Sequence, residues 1–221
     1  MHTDHLHMNF ISSRRVFHFG DQQIIVVVPN ATWIQQDYLE RKHKDPAVVF
    51  PYWSQVWPAA IGLCNFLVAH TGYIEHKKVT ELAAGLGLPS LLAAAYASEV
   101  HCSDHIPEAV ERIQESVLQN GYRNMQCSVA DWNHLAEDMN TDVLLLSDIN
   151  YEPEEFDQLH RLLLQFLQAG TTILLSTPQR LMAKSFIDKL LPFCVQQEEY
   201  SISSNQYEQP ALVSVLVLKR S

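Results

Sequence analysis

The residues best placed for chemistry stand just past apolar, strand-forming runs. Glu81 closes the first of these runs and is followed by Leu82-Ala83-Ala84-Gly85-Leu86-Gly87-Leu88-Pro89. Asp104 closes the next, Asp131 and Trp132 follow a third, and Asp148 follows a fourth. Gly85 and Gly87 lack side chains, so the backbone there can turn sharply and approach a ligand closely. The helix beginning at Leu88-Pro89 aims its free N–H groups at the same place. A carboxylate beside such a turn can accept both hydroxyls of a ribose, which is the chemistry open to Asp104. Asp131 offers an acceptor for an adenine amino group, and the Trp132 indole can cover a purine face. Each residue also has a structural reading. The glycines make a tight turn, Asp104 caps a helix near Ile106-Pro107, Asp131 caps a turn and Trp132 fills a gap. Their co-occurrence at three successive strand ends favours a nucleotide-type pocket.

The elements that must position these residues follow from the hydrophobic pattern. From Tyr73 onward, strands expected at 78–83, 99–103, 125–129, 142–148 and 171–176 alternate with helices at 89–98, 106–120, 153–168 and 179–191, with a shorter polar connection at 132–141. Such alternation requires parallel strands with crossover helices on both faces. Phe193 to Ser201 and Ala211 to Lys219 are two strands without an intervening helix, so they form a hairpin that puts an antiparallel member at the end of the sheet. The predicted fold is therefore α/β, a Rossmann-like three-layer sandwich. Its seven-stranded sheet is mostly parallel, with an antiparallel last strand and an N-terminal β-hairpin extension. Residues 14–45 carry that extension: Arg14 to Phe19 and Gln22 to Val28 flank Gly20-Asp21, and a polar helix at 31–44 stops at Asp45-Pro46. Pro58 to His70 keeps a helical period. The 221 residues read as one domain, 1–221, with 1–13 as a loose tail in which His2, His5 and His7 are a mobile run rather than a metal site.

Composition narrows the function classes. The chain is 47% hydrophobic and 18% charged, with a net charge of −10 and no long basic run, which argues against a nucleic-acid partner. The longest apolar runs are too short to span a bilayer, and no signal peptide is visible. Cys64, Cys102, Cys127 and Cys194 are far apart and form no CxxC pair, so they read as small hydrophobes in a reducing, cytoplasmic compartment rather than as metal ligands. Nothing in the sequence specifies an oligomeric state.

Two cofactors fit a pocket of this type. Dinucleotide sites use GxGxxG, whose helix N-terminus takes a pyrophosphate. Here the pattern is Glu-x-Ala-x-Gly-x-Gly with an acid inside the strand end, where negative charge repels a pyrophosphate and attracts the ammonium and sulfonium of S-adenosylmethionine. Residues from about Phe50 to Tyr151 resemble the seven-strand S-adenosylmethionine methyltransferases, and more narrowly the protein-lysine and nicotinamide N-methylase-like family, methyltransferase family sixteen. Four segments carry the resemblance: Val56-Trp57-Pro58-Ala59-Ala60; Glu81 to Pro89; Cys102-Ser103-Asp104 followed by Asn120; and Ser147-Asp148-Ile149-Asn150-Tyr151, similar to an Asp-x-x-Tyr signature.

The resemblance implies that Gly85 and Gly87 line the methionine end of the cofactor, with Glu81 behind them. It places Asp104 on the ribose, Asp131 and Trp132 at the adenine, and Trp57 over the cofactor. Ala83 and Ser147 join this set; the family usually has glycine where Ala83 stands. Asp148 and Tyr151 are the candidate catalytic residues. A lysine nucleophile, with a solution pKa of about 10.4, must lose a proton, and polar acceptors can orient the amine while an aromatic ring bounds its path. Their structural reading is a cap on the helix starting at Pro153 and packing. The aromatic run Phe50 to Gln55 either lines an acceptor channel or locks the N-terminal hairpin to the sheet. The leading expectation is an N-methyltransferase acting on a protein lysine. Alternatives are a small amine or pyridine acceptor, a cofactor- or partner-binding module without turnover, and, more distantly, a dehydrogenase.

Overall fold

The computed structural model describes residues 12–135, 140–150, 153–203 and 209–220. His2, His5, His7 and Tyr151 lie outside these residues. Two strands, β1 (Ser12–Phe19) and β2 (Gln22–Pro29), pair as an antiparallel hairpin around Gly20, whose φ of +54° suits the tight turn. The hairpin begins earlier than expected, because Ser12 and Ser13 of the predicted tail pair with Pro29 and Val28. β2 carries most of the burial on the body of the protein, while β1 buries only its last residue, Phe19. Helix α1 (Ala31–Lys44) follows, with the Asn30 side chain accepting from the Trp33 N–H at 3.0 Å as an N-cap. Helix α2 (Pro58–Ala69) opens on a proline, which suits its first turn.

The remaining elements are β3 (Lys78–Glu81), α3 (Leu88–Ala93), β4 (Glu99–Asp104), α4 (Pro107–Asn120), β5 (Met125–Val129), β6 (Val143–Ser147), α5 (Phe156–Gln168), β7 (Thr172–Pro178), α6 (Lys184–Leu190), β8 (Cys194–Ile202) and β9 (Ala211–Leu218). They build one seven-stranded sheet in the order β5-β4-β3-β6-β7-β9-β8. Order reverses about β3, which pairs in parallel with β4 on one side and β6 on the other. Ligands of open α/β sheets bind beyond the carboxyl ends of such a pair.

Period-two alternation along the strands splits the core into two layers. Leu145, Leu174, Val215 and Val217 face α2, α3 and α4, while Leu144, Leu146, Ile173, Leu175, Leu216 and Leu218 face α5 and α6. Each such buried leucine contributes about 1.5–3 kcal/mol of transfer free energy.

The antiparallel strand does not sit at the end of the sheet. β9 inserts between β7 and β8, antiparallel to both, and leaves β8 at the edge. The burial patterns give the reason: Val213 to Leu218 is buried continuously, whereas β8 alternates half-buried and exposed. Two expected helices are also shorter. The first stops at Ala93 in a run of turns, and the second begins only at Lys184, after a single 3-10 turn at Leu181–Ala183. No described helix is long and apolar enough to cross a membrane. The described residues hold no group of three metal-ligating side chains.

Candidate active site

The expected strands 78–83 and 142–148 both end early, at Glu81 and Ser147. Left-handed residues terminate them: Ala83 at φ +51° and Asp148 at φ +59°. Neither is glycine, so each stores backbone strain at the point where the sheet order reverses.

After Ala83 the chain alternates through Gly85 at φ +57° and Gly87 at φ +67°. A Cβ on Gly87 would stand 3.1 Å from the Ile113 side chain and 3.3 Å from Cys102 Sγ, so this position requires glycine for space as well as conformation. The Gly85 N–H donates to Asp104 Oδ2 at 2.8 Å, and the Ile106 N–H donates to Asp104 Oδ1 at 3.0 Å. Asp104 thus ties the glycine turn of β3 to the start of α4. Burial pushes its carboxyl above the usual range, opposed by these backbone donors. Each carboxylate oxygen still has a lone pair for a hydroxyl.

Glu81 occupies a different place. It is fully buried beneath the turn, does not line the cavity, and accepts from the Ser90 N–H at 2.9 Å through Oε2. Burial pushes its carboxyl up to about 8, against hydrogen bonding from Ser90. Burial thus favours the neutral acid and weakens the attraction of an ammonium and sulfonium that the sequence suggests. Glu81 instead holds an N–H in the first turn of α3.

A cavity of about 800 Å³ opens over these strand ends, a size typical of small-molecule sites. Trp57, Ala83, Gly85, Gly87, Asp104, Asp131, Trp132, Ser147 and Asp148 all line it. Asp131 and Trp132 are half-buried, and Asp131 Oδ2 lies 3.0 Å from His134 Nδ1. Trp57 Nε1 donates to the Tyr52 carbonyl at 2.7 Å, fixing the segment before α2. From the aromatic run, Phe50, Tyr52 and Trp53 form part of the wall, and Phe50 meets Tyr38 of α1 edge-on at 5.2 Å between ring centroids. The run therefore lines the cavity and also ties it to α1.

Sequence reasoning missed two contributors. Helix α1 supplies Ile34, Asp37, Tyr38 and Arg41 to the wall, although its sequence alone reads as polar surface. Arg180, just past β7, grips Asp148: its Nη1 pairs with Oδ1 and its Nη2 donates to Oδ2 at 3.1 Å. The signal for Arg180 was its place one residue past Gln179 at a strand's carboxyl end, where ligands of such sheets collect. Beside this pair, Thr177 Oγ1 donates to Asn150 Oδ1 at 2.8 Å, tying the segment after β6 to β7.

The residues present fit S-adenosylmethionine. A left-handed glycine turn admits close approach, a buried carboxylate keeps free lone pairs for ribose hydroxyls, and an indole stands at the far strand end. The strand order and the position of this cavity define the methyltransferase class of doubly wound proteins. As a solved structure, the N-methyltransferase NodS from Bradyrhizobium japonicum, in complex with S-adenosyl-L-homocysteine, shares this fold. Its TM-score is 0.59 at 12% identity, over 82% of this chain and 98% of that one.

A family model described as lysine methyltransferase matches residues 52–192, and the chain belongs to that family. Among curated relatives, human histone-arginine methyltransferase METTL23 is 33% identical over 110 residues, covering 47% of this chain and 58% of that protein. Mouse EEF1A lysine methyltransferase 3 is 33% identical over 147 residues, covering 63% and 62%. The chain spans about half the length of the first of these relatives.

Proposed function

We propose that this chain is an S-adenosylmethionine-dependent N-methyltransferase whose acceptor is a lysine side chain of a protein. The observation that carries the reading is the convergence, in one cavity, of the Gly85–Asp104 cofactor turn and the acid Asp148. When bound, S-adenosylmethionine supplies an activated methyl group on sulfur. Gly85, Gly87 and Asp104 would hold that cofactor, which would supply its methyl group to the acceptor nitrogen's lone pair, with the nitrogen's proton passing to water. The protein's part is to hold the nitrogen close, aligned and desolvated. Ala83, Ser147, Trp57 and Tyr52 line the same cavity as Asp148. Tyr151, three residues past Asp148 in the sequence, is the second residue proposed for the acceptor.

The cavity mouth supports a protein rather than a small amine. Its lining includes exposed Val49, Tyr52 and Met182, a rim that a flat polypeptide surface covers better than a closed small-molecule pocket. An arginine acceptor is the second reading, because relatives named histone-arginine methyltransferases match this chain at 30–33% identity.

Calorimetry with S-adenosylmethionine, S-adenosylhomocysteine and NADH tests the first step, with Asp104→Ala as control. Both sulfur compounds bind the native chain and not the variant, and NADH does not bind. Radiolabelled methyl transfer to core histones and to elongation factor 1A, followed by mass spectrometry, then reads the acceptor. Modified lysine supports the proposal, and modified arginine replaces it with the second reading. Cofactor binding with no transfer to either probe favours a non-catalytic module, and NADH binding alone overturns the cofactor assignment.

A further inference from the structure

Of the carboxylates that line the cavity, Asp148 is gripped by a guanidinium through both oxygens, whereas Asp37 meets Arg41 through one, at 3.5 Å. Asp37, Asp104, Glu108, Asp131 and Glu155 share the cavity with it, against only two guanidinium groups, Arg41 and Arg180. One of those two covers both oxygens of Asp148. Asp148 is buried and held in a left-handed conformation, with its N–H donating to the Ser176 carbonyl at 2.9 Å. Arg180 reaches it from the loop after β7, with its side chain 30% exposed against 10% for Asp148.

This arrangement has a consequence for an amine acceptor. A lone buried carboxylate attracts an ammonium and stabilises the protonated, unreactive form. A carboxylate already paired with a guanidinium presents no net charge, yet a carboxylate has about four acceptor sites and the fork of Arg180 fills only two. The remaining lone pairs can orient an N–H of a neutral amine without holding the nitrogen as a cation.

We infer that Arg180 sets the acceptor selectivity of this site: by pairing with Asp148 it cancels the charge of the seat, so that the nitrogen is received as a neutral amine. Arg180 is thus a positioning residue, acting through Asp148. The inference rests on the methyl-transfer reading for its purpose, while the charge of the seat is measurable without it.

The test uses n-butylammonium as a mimic of the lysine side chain, titrated calorimetrically into the chain saturated with S-adenosylhomocysteine. The native chain binds the cation weakly. Arg180→Ala binds it roughly tenfold or more tightly, because the bare carboxylate is exposed to it. Arg180→Lys rejects the cation as the native chain does, and Arg180→Ala combined with Asp148→Asn loses the gain. Unchanged S-adenosylhomocysteine affinity in each variant shows that it folded.

With core histones as methyl acceptor, Arg180→Ala lowers kcat at least about tenfold while KM stays or falls. Equal n-butylammonium affinity in native chain and Arg180→Ala overturns the inference, as does a rise in KM at constant kcat, which would make Arg180 a direct contact of the acceptor. A native chain that transfers no methyl group to core histones or to elongation factor 1A, beside a variant that still gains cation binding, sinks the methyl-transfer reading and leaves the charge assignment standing.

Discussion

Ala83 and Glu81 show how far single residues depart from what their types suggest. Ala83 sits at φ +51°, a conformation that costs a non-glycine residue about 1–2 kcal/mol. Ala83→Gly removes that strain but adds about 0.4–1 kcal/mol of unfolded-chain entropy, so the variant should be neutral to about 1.6 kcal/mol more stable in denaturant melts. A loss of stability would contradict the left-handed assignment.

Glu81 gives a pH signature. Its carboxyl is raised to about 8 in the folded protein and titrates near 4.5 when unfolded. Between those values the folded state keeps a proton that the unfolded state has lost, so stability falls as pH rises through the window, by about 1.4 kcal/mol per unit. Glu81→Gln should flatten that fall, leaving the part that comes from Asp104, whose carboxyl is raised too. Melting temperatures from pH 5 to 8 check it; parallel curves for the two proteins would refute it.

At this scale Asp104, Gly85 and Gly87 were readable because residue type and strand-end position coincide. The charge state of Glu81 was not, since nothing local distinguishes a rim acid from a fully buried one. Arg180 escaped because its partner lies 32 residues away in the chain.

Among the elements, α2 is seated closely against β7 and β9. A Cβ on Gly62 would stand 2.7 Å from Val213 Cγ1 on β9, and Ser176 Oγ of β7 donates to the Ala59 carbonyl at 2.7 Å. Gly62→Ala should cost about 1–3 kcal/mol through overpacking. Combining it with Val213→Ala should cost less than the sum of the two changes, because the second opens space for the first. A strictly additive double-mutant cycle would show that the two residues do not meet. The alternation of strand and helix after Tyr73 was readable from hydrophobic period alone. The place of β9 was not, although its unbroken buried run Val213 to Leu218 is the mark of an interior strand. Helix ends were hardest. Leu181 is 94% exposed on the turn before α6, and its apolar type invites a longer helix than the chain forms.

Over the whole molecule, the N-terminal hairpin joins the body through side chains rather than through the sheet. Asn120 of α4 accepts from the Ile25 N–H at 2.9 Å and donates to the Ile25 carbonyl at 2.7 Å, and Ser116 Oγ accepts from the Val27 N–H at 2.9 Å. Asn120→Ala leaves two backbone groups of β2 unmet and should cost about 1–3 kcal/mol. Native-state hydrogen exchange should show Ile25 losing protection ahead of β3, and equal loss in both would mean that the hairpin and sheet open as one unit. An α/β class was readable from the sequence, but this clasp was not, because it pairs residues 95 positions apart. The insertion of β9 also bears on the birth of the protein at the ribosome. β7 and β8 are both synthesised before the strand that separates them, so until Ala211–Leu218 emerges each exposes an edge with unpaired amides and carbonyls. Five of the seven strands, from β5 to β7 in the sheet, can assemble while translation continues, but the far side must be held open for β9. During that interval the nascent chain is most vulnerable to pairing with a neighbour, and a chaperone covering those edges has the most to protect.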